Sequence, residues 1–165
     1  MATGRDYQLT KQAGEYLVAA ELCRRGFVAT TFTGNVPEFD ILATDKGLST
    51  IPIQVKTIKK GDWQPKLKDF VEISQSGDIQ TVKGKTKLAN PDLIYIFVRL
   101  RGQNQDEFYV CLQKDVQDIM YKKYNKYLKK WGGRRPKNPK STHCKVTLKD
   151  LEDYDYKDAW EIITK

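Results

Sequence analysis

The first part of the chain has the apolar periodicity of a helix. Apolar residues recur there at intervals of three and four positions: Leu9, Ala13, Tyr16, Leu17, Ala20 and Cys23. This spacing predicts a helix from about Gln8 to Arg25, with the apolar stripe facing the core. Gly26 follows, and glycine is the residue that most commonly ends a helix.

Three short segments rich in β-branched and aromatic residues come next: FVATTF, FDILAT and STIPIQVKT. Asp45-Lys46-Gly47 separates the last two and suits a tight turn, which predicts an antiparallel hairpin. Side chains alternate between the faces of a strand. Ile53 and Val55 should therefore share one face of the third segment, and Gln54 and Lys56 the other.

The second half of the chain predicts two more strands and a helix. DLIYIFVRL is almost continuously apolar, which is typical of a central strand covered on both faces, and EFYVCL is a shorter strand. Helical spacing returns over residues 113–131, and a short strand (HCKVTL) and a final helix (YKDAWEIITK) are expected later. Residues 58–91 are polar and have no clear period, and we expect short strands or turns there that the pattern does not place. The pattern predicts one α/β domain over residues 1–165, with the order α-β-β-β-(irregular)-β-β-α.

Composition excludes several classes of protein. The chain has 165 residues, of which 39% are hydrophobic. It has no apolar run near the roughly 18 residues of a membrane span and no N-terminal signal-peptide pattern. We therefore expect a soluble, intracellular, cytoplasmic protein without a membrane partner. The single histidine excludes a multi-histidine metal site, and Cys23 and Cys111 are expected to be buried thiols.

Four polar residues form a candidate catalytic group. Asp40 lies near the start of one strand of the predicted hairpin, across from Gln54 and Lys56 near the end of the other. Glu15 lies beside the apolar stripe of the first helix and adds a second carboxylate. Glu38 belongs to the same region and is expected to be a solvated loop acid.

These residues resemble the PD-(D/E)XK nuclease superfamily, which has a restriction endonuclease-like core. The similar segments are GEYLVAAEL, PEFDILA and IQVKT, and the Gln-x-Lys variant resembles the Holliday junction resolvase and Mrr-like branch. The similarity covers residues 8–57 by motif and 92–112 by the order of elements. It implies a mixed β-sheet flanked by helices and a DNA endonuclease that depends on Mg²⁺ or Mn²⁺.

The resemblance also implies a role for each residue. Asp40 and the Val55 carbonyl would bind the metal, and Glu15 would bind it directly or through water. Gln54 could offer an oxygen but no charge, which should weaken metal binding. Lys56 would orient or deprotonate the attacking water and stabilise the charged transition state; we favour the electrostatic role because an ordinary lysine titrates near 10.4.

The charge distribution indicates a polyanionic partner. Residues 121–145 contain ten Lys or Arg and no acid, within a basic helix-loop segment at about 113–145. A solvated helix face is the alternative. The expected phosphate contacts are Lys122, Lys126, Lys129, Lys130, Arg134 and Arg135.

Three functions remain open at this level. The first is a metal-dependent DNA endonuclease, which would need two sites to cut both strands and could therefore be a homodimer or higher homo-oligomer. The second is a catalytically weak or inactive nuclease-fold module that binds nucleic acid. The third is an unrelated α/β domain whose basic helix binds an acidic protein or a membrane surface. The form of the DNA, the choice between DNA and RNA, and any recognition sequence also remain open.

Overall fold

A computed structural model describes residues 3–164 and contains a five-stranded mixed sheet between two long helices. In chain order the elements are α1 (Gly4–Arg24), β1 (Val28–Thr31), β2 (Ile41–Thr44), β3 (Thr50–Ile58), a 3₁₀ turn (Leu67–Asp69), β4 (Val71–Ser76), β5 (Ile79–Lys85), β6 (Ile94–Arg99), β7 (Glu107–Leu112), α2 (Gln113–Lys130), α3 (Leu148–Glu152) and a 3₁₀ helix (Trp160–Thr164). The sheet order is β1-β2-β3-β6-β7; β3 and β6 are parallel, and the other neighbours are antiparallel. The predicted α/β class and the mixed sheet flanked by helices are confirmed.

Each face of the sheet carries its own hydrophobic core. Ile94, Ile96 and Val98 of β6 pack on the α1 side, whereas Tyr95 and Phe97 pack on the α2 side. All five side chains are buried. The prediction that this strand is central and covered on both faces is confirmed.

Helix α1 forms where it was predicted, but its buried face was predicted wrongly. Leu9 and Tyr16 are 51% and 55% exposed, and Cys23 is also exposed. The helix instead packs through Gly14 and Val18, together with Leu22. A small residue at position 14 permits a close approach to the sheet, so this side is buried even though it has fewer large apolar residues.

The segment from 58 to 91 contains an antiparallel ribbon that the sequence pattern did not reveal. Strands β4 and β5 pair only with each other and form a separate two-stranded sheet, which packs on α2. Near the C-terminus, the predicted strand HCKVTL makes one isolated bridge, Val146 to Trp63, and the last helix is 3₁₀. Within residues 3–164, no helix is both long and apolar enough to cross a bilayer.

Candidate active site

The candidate site forms where one edge of β3 is left without a neighbouring strand. Strand β2 pairs with β3 only as far as Ile41 opposite Ile53, whereas β6 pairs with β3 to its end. The backbone N–H and C=O of one residue point to the same side of an extended strand, and the side alternates along the chain. The Ile53 carbonyl points towards β2, so the N–H and C=O of Val55, two residues later, also point to that side. They lie beyond the first residue of β2, where no β2 residue pairs with them.

Asp40 lies directly before β2 and is fixed against this open edge. Its backbone N–H donates to the Ile53 carbonyl at 2.8 Å, and its Oδ2 accepts a hydrogen bond from the Val55 N–H at 2.9 Å. The Gln54 side-chain amide also donates to Asp40 Oδ2. The hairpin therefore brings Asp40 and Gln54 together, as the sequence predicted, and adds the Val55 backbone N–H as a second donor to Asp40.

Helix α1 brings a second carboxylate to the same edge. Lys11 Nζ lies 3.7 Å from Glu15 Oε1 and 3.5 Å from Asp40 Oδ1, so one ammonium group connects both acids. The Glu15 and Asp40 side chains are only 12% and 10% exposed. Burial raises the pKa of Glu15 above its ordinary value, and the charge of Asp40 raises it further, while Lys11 opposes both effects.

Lys11 is a site residue that the sequence pattern did not indicate. The available signal was its spacing, because a lysine four residues before Glu15 shares one face of a helix with it. Its contact with Asp40 depends on how closely α1 packs against the sheet, and residue spacing does not give that distance.

Lys56 lines a cleft together with Lys11, and its amine lies within the field of Asp40 and Glu15. Burial lowers the pKa of its amine below the ordinary value, while the charge of Asp40 acts in the opposite direction. Lys11 lowers it further, and Asp69 raises it. Lys56 is therefore a partly desolvated cation within the field of several carboxylates.

The cleft has a volume of about 660 Å³ and continues from the open edge of β3 to the 3₁₀ turn. Lys11, Lys56, Asp69, Phe70 and Tyr95 are among its lining residues. Burial, followed by the charge of Asp69, raises the pKa of Tyr95 to about 12. Its side chain forms part of the cleft wall.

The oxygen atoms at the open edge are of the chemical types that bind Mg²⁺. This ion prefers one or two carboxylates, with water and substrate oxygens completing its coordination. Asp40, Glu15 and the Val55 carbonyl provide two anions and one neutral oxygen, and the ammonium group of Lys11 already offsets part of the negative charge. No group of three or more His, Cys, Asp or Glu residues that could hold a metal is present within residues 3–164.

The predicted phosphate-binding residues divide into two groups. Lys122, Lys126, Lys129 and Lys130 are exposed on α2. Arg134, by contrast, pairs with Asp78 at 3.2 Å. Arg135 donates to the His143 carbonyl at 2.8 Å and lies over the Tyr127 ring at 4.8 Å from its centroid. The two arginines thus already have partners within the chain.

Glu38, for its part, is an exposed residue of the loop before Asp40.

Comparison with known proteins shows a shared overall fold. No protein-family model and no curated protein matches the sequence. A solved structure, the bacterial homing endonuclease I-Ssp6803I, is similar with a TM-score of 0.51 and 12% sequence identity. The match covers 94% of this chain and 91% of the other. The chain therefore shares the overall α/β fold of that protein.

Proposed function

We propose that this protein is a metal-dependent DNA endonuclease of the PD-(D/E)XK type. The observation that carries the proposal is the convergence of Asp40, Glu15 and Lys56 at one open strand edge. These are the residue types that phosphodiester hydrolysis needs, and the overall fold is shared with a homing endonuclease.

In this proposal Asp40, Glu15 and the Val55 carbonyl bind Mg²⁺ or Mn²⁺. When bound, the metal supplies positive charge for the phosphate oxygens and lowers the pKa of a coordinated water. Gln54 would offer its amide oxygen to the metal only after its side-chain amide turned, because the amide nitrogen now faces Asp40 Oδ2. Asp40 stays in place during this turn because the Val55 N–H still holds its Oδ2.

Lys56 supports the reaction by charge. Its ammonium group lies in the cleft near Asp40, where hydrolysis would place additional negative charge on the phosphate oxygens. Partial desolvation strengthens this electrostatic effect, because the effective dielectric constant is lower than in water.

The test is cleavage of supercoiled plasmid and of linear duplex DNA in Mg²⁺, with EDTA as the metal-free control. Wild type should nick or linearise DNA only with metal. Asp40→Asn, which keeps an oxygen for the Val55 N–H, should lose cleavage and retain DNA binding. Asp92→Asn is the matched control, because Asp92 is exposed and pairs with Lys114. Equal cleavage by wild type and Asp40→Asn would refute the assignment.

Two observations favour a second function, a nuclease-fold module that binds nucleic acid without cutting it. Gln54 brings no charge to the metal ligands, and the single ammonium group of Lys11 already lies beside both carboxylates and offsets part of their negative charge. Calorimetric titration with Mn²⁺ distinguishes the two functions. Binding that disappears in Asp40→Asn supports the enzyme, whereas the absence of Mn²⁺ binding by wild type supports the module.

A further inference from the structure

The ribbon formed by β4 and β5 has one buried and one exposed face. Val71, Ile73, Gln80 and Val82 point inwards, and Ile73 pairs directly with Val82. The outward face carries Glu72, Ser74, Ser76, Ile79, Thr81 and Lys83, whereas Lys85 pairs with the inward Val71. Most of these side chains are exposed hydrogen-bonding groups, although ribbon packing does not require such groups on that face.

Two buried glutamines fix the ribbon from its inward side. The Gln80 side chain is 2% exposed and donates to the carbonyls of Pro139 and Ser141 at 2.6 and 2.9 Å. Gln117 of α2 donates to the carbonyls of Phe70 and Thr86, which flank the ribbon. A fully satisfied buried polar group fixes a single arrangement. The ribbon is therefore a preorganised element.

We propose that the outward face of the β4–β5 ribbon enters the major groove of duplex DNA and reads base edges beside the cleaved phosphodiester. This inference rests on the proposed endonuclease function and adds to it a duplex substrate and a sequence-reading surface.

Size supports this assignment. Paired strands lie about 5 Å apart, and the major groove, roughly 12 Å wide, admits a two-stranded ribbon. A strand of six residues, such as β4, spans about 20 Å, which corresponds to about six base pairs at roughly 3.4 Å each.

The chemistry of the face matches base edges. Serine and threonine hydroxyls bond to any base, lysine donates to guanine, and a glutamate accepts from the cytosine amino group. Ser76, Thr81, Lys83 and Glu72 provide all three kinds of contact.

The position of the ribbon beside the cleft and the positive charge of the neighbouring surface indicate that the ligand of its outward face is duplex DNA. Asp69 and Phe70 line the cleft, and β4 begins at the next residue, so the ribbon continues directly from the cleft wall. On its other side, Lys85 pairs with Asp118 and lies over the Tyr121 ring. Tyr121 borders the exposed lysines of α2, so DNA in the cleft would meet a basic surface next to the ribbon.

Selection from a library of randomised 30-base-pair duplexes in EDTA, where metal-dependent cleavage is prevented, tests the proposal. Wild type should enrich a defined sequence. Ser76→Ala/Thr81→Ala, which leaves the charge unchanged, should lose the preference at adjacent positions and reduce discrimination against a scrambled duplex by about fivefold or more. Lys126→Ala/Lys129→Ala is the matched control and should keep the motif while binding all duplexes more weakly.

Two outcomes would overturn the inference while leaving the endonuclease intact: enrichment of no motif by wild type, or an unchanged motif in the ribbon variant. If wild type neither binds duplex DNA nor cuts it, the proposed function fails as well. Thermal unfolding of each variant checks that the exposed substitutions leave the fold unchanged.

Discussion

The Val55 N–H donates to Asp40 Oδ2 at 2.9 Å, across fifteen positions of sequence. A residue of the hydrophobic core therefore orients the carboxylate with its backbone while its side chain packs in the core on the α1 side of the sheet. Asp40 should consequently keep its orientation when its side-chain neighbours are changed. Substitutions at Gln54 and Lys11 should therefore show the effect of the charge at the site, without a movement of Asp40.

Lys56→Ala should reduce DNA cleavage in Mg²⁺ by roughly 10²- to 10³-fold, the effect of removing one group that stabilises the transition-state charge. DNA binding should change little, because the basic surface of α2 is untouched. Single-turnover cleavage and fluorescence anisotropy measure the two effects. Lys59→Ala is the matched control, since Lys59 is exposed and lies outside the cleft. Cleavage by Lys56→Ala at nearly the wild-type rate would rule out this role.

Gln54→Glu should bind Mn²⁺ more tightly than wild type, on the order of tenfold, or about 1.4 kcal/mol. The substitution adds a carboxylate beside Asp40. It also removes the amide group that donates a hydrogen bond to Asp40 Oδ2. The metal-free variant should therefore unfold at a lower temperature, and added Mn²⁺ should raise that temperature more than in wild type. Calorimetry and thermal unfolding measure both effects, and weaker Mn²⁺ binding would place Gln54 outside the metal ligands.

Lys11→Met should also raise Mn²⁺ affinity, by roughly tenfold, because a competing ammonium group is removed from Glu15 and Asp40. Lys66→Met is the matched control: Lys66 lines the same cleft but pairs with Asp69. Its Mn²⁺ affinity should stay near that of wild type. A decrease in affinity for Lys11→Met would mean that Lys11 holds the carboxylates in position instead of competing for them.

Mn²⁺ affinity should fall as the pH is lowered, and the fall should begin above the ordinary pKa of a glutamate. The pKa of Glu15 is raised, so its carboxylate takes up a proton earlier than an exposed glutamate, and the proton competes with the metal. Calorimetry at several pH values from 7 downwards measures this trend. Glu15→Gln should bind Mn²⁺ more weakly at neutral pH and lose this part of the dependence. An identical pH profile in the variant would exclude Glu15 from metal binding.

The exposed lysines of α2 should account for more of the salt dependence of DNA binding than the two arginines. Each neutralised phosphate contributes about −0.9 to the slope of log K against log salt. Lys126→Ala/Lys129→Ala should therefore reduce the slope by about 2. Arg134→Ala/Arg135→Ala should reduce it less and lower thermal stability, because both side chains have partners in the chain. The reverse ranking of slopes would mean that the arginines exchange these partners for phosphate.

The local patterns of the sequence predicted the elements and the hairpin well. Thirteen intervening residues and one turn placed Asp40 across from Gln54, because strand pairing follows directly from chain geometry. The contact of Lys11 with Asp40 could not be predicted from residue spacing, since it depends on the distance between a helix and a sheet. The ribbon was also missed: its inward face includes a buried Gln80, whose partners lie about sixty residues later in the chain. The face of α1 was predicted wrongly because large exposed side chains outweighed the small residues that pack.

Gly14 has a consequence for how such sites can be recognised. A Cβ at this position would overlap the Thr57 side chain, with 2.7 Å to its Cγ2, so the helix lies nearer to β3 than any residue with a side chain would allow. The missing methyl group thereby places the carboxylate of the next residue, Glu15, beside Asp40. A sequence search that scores only charged residues overlooks this position. The Gly-Glu pair is the more informative signature, because its first member determines how far the second can reach.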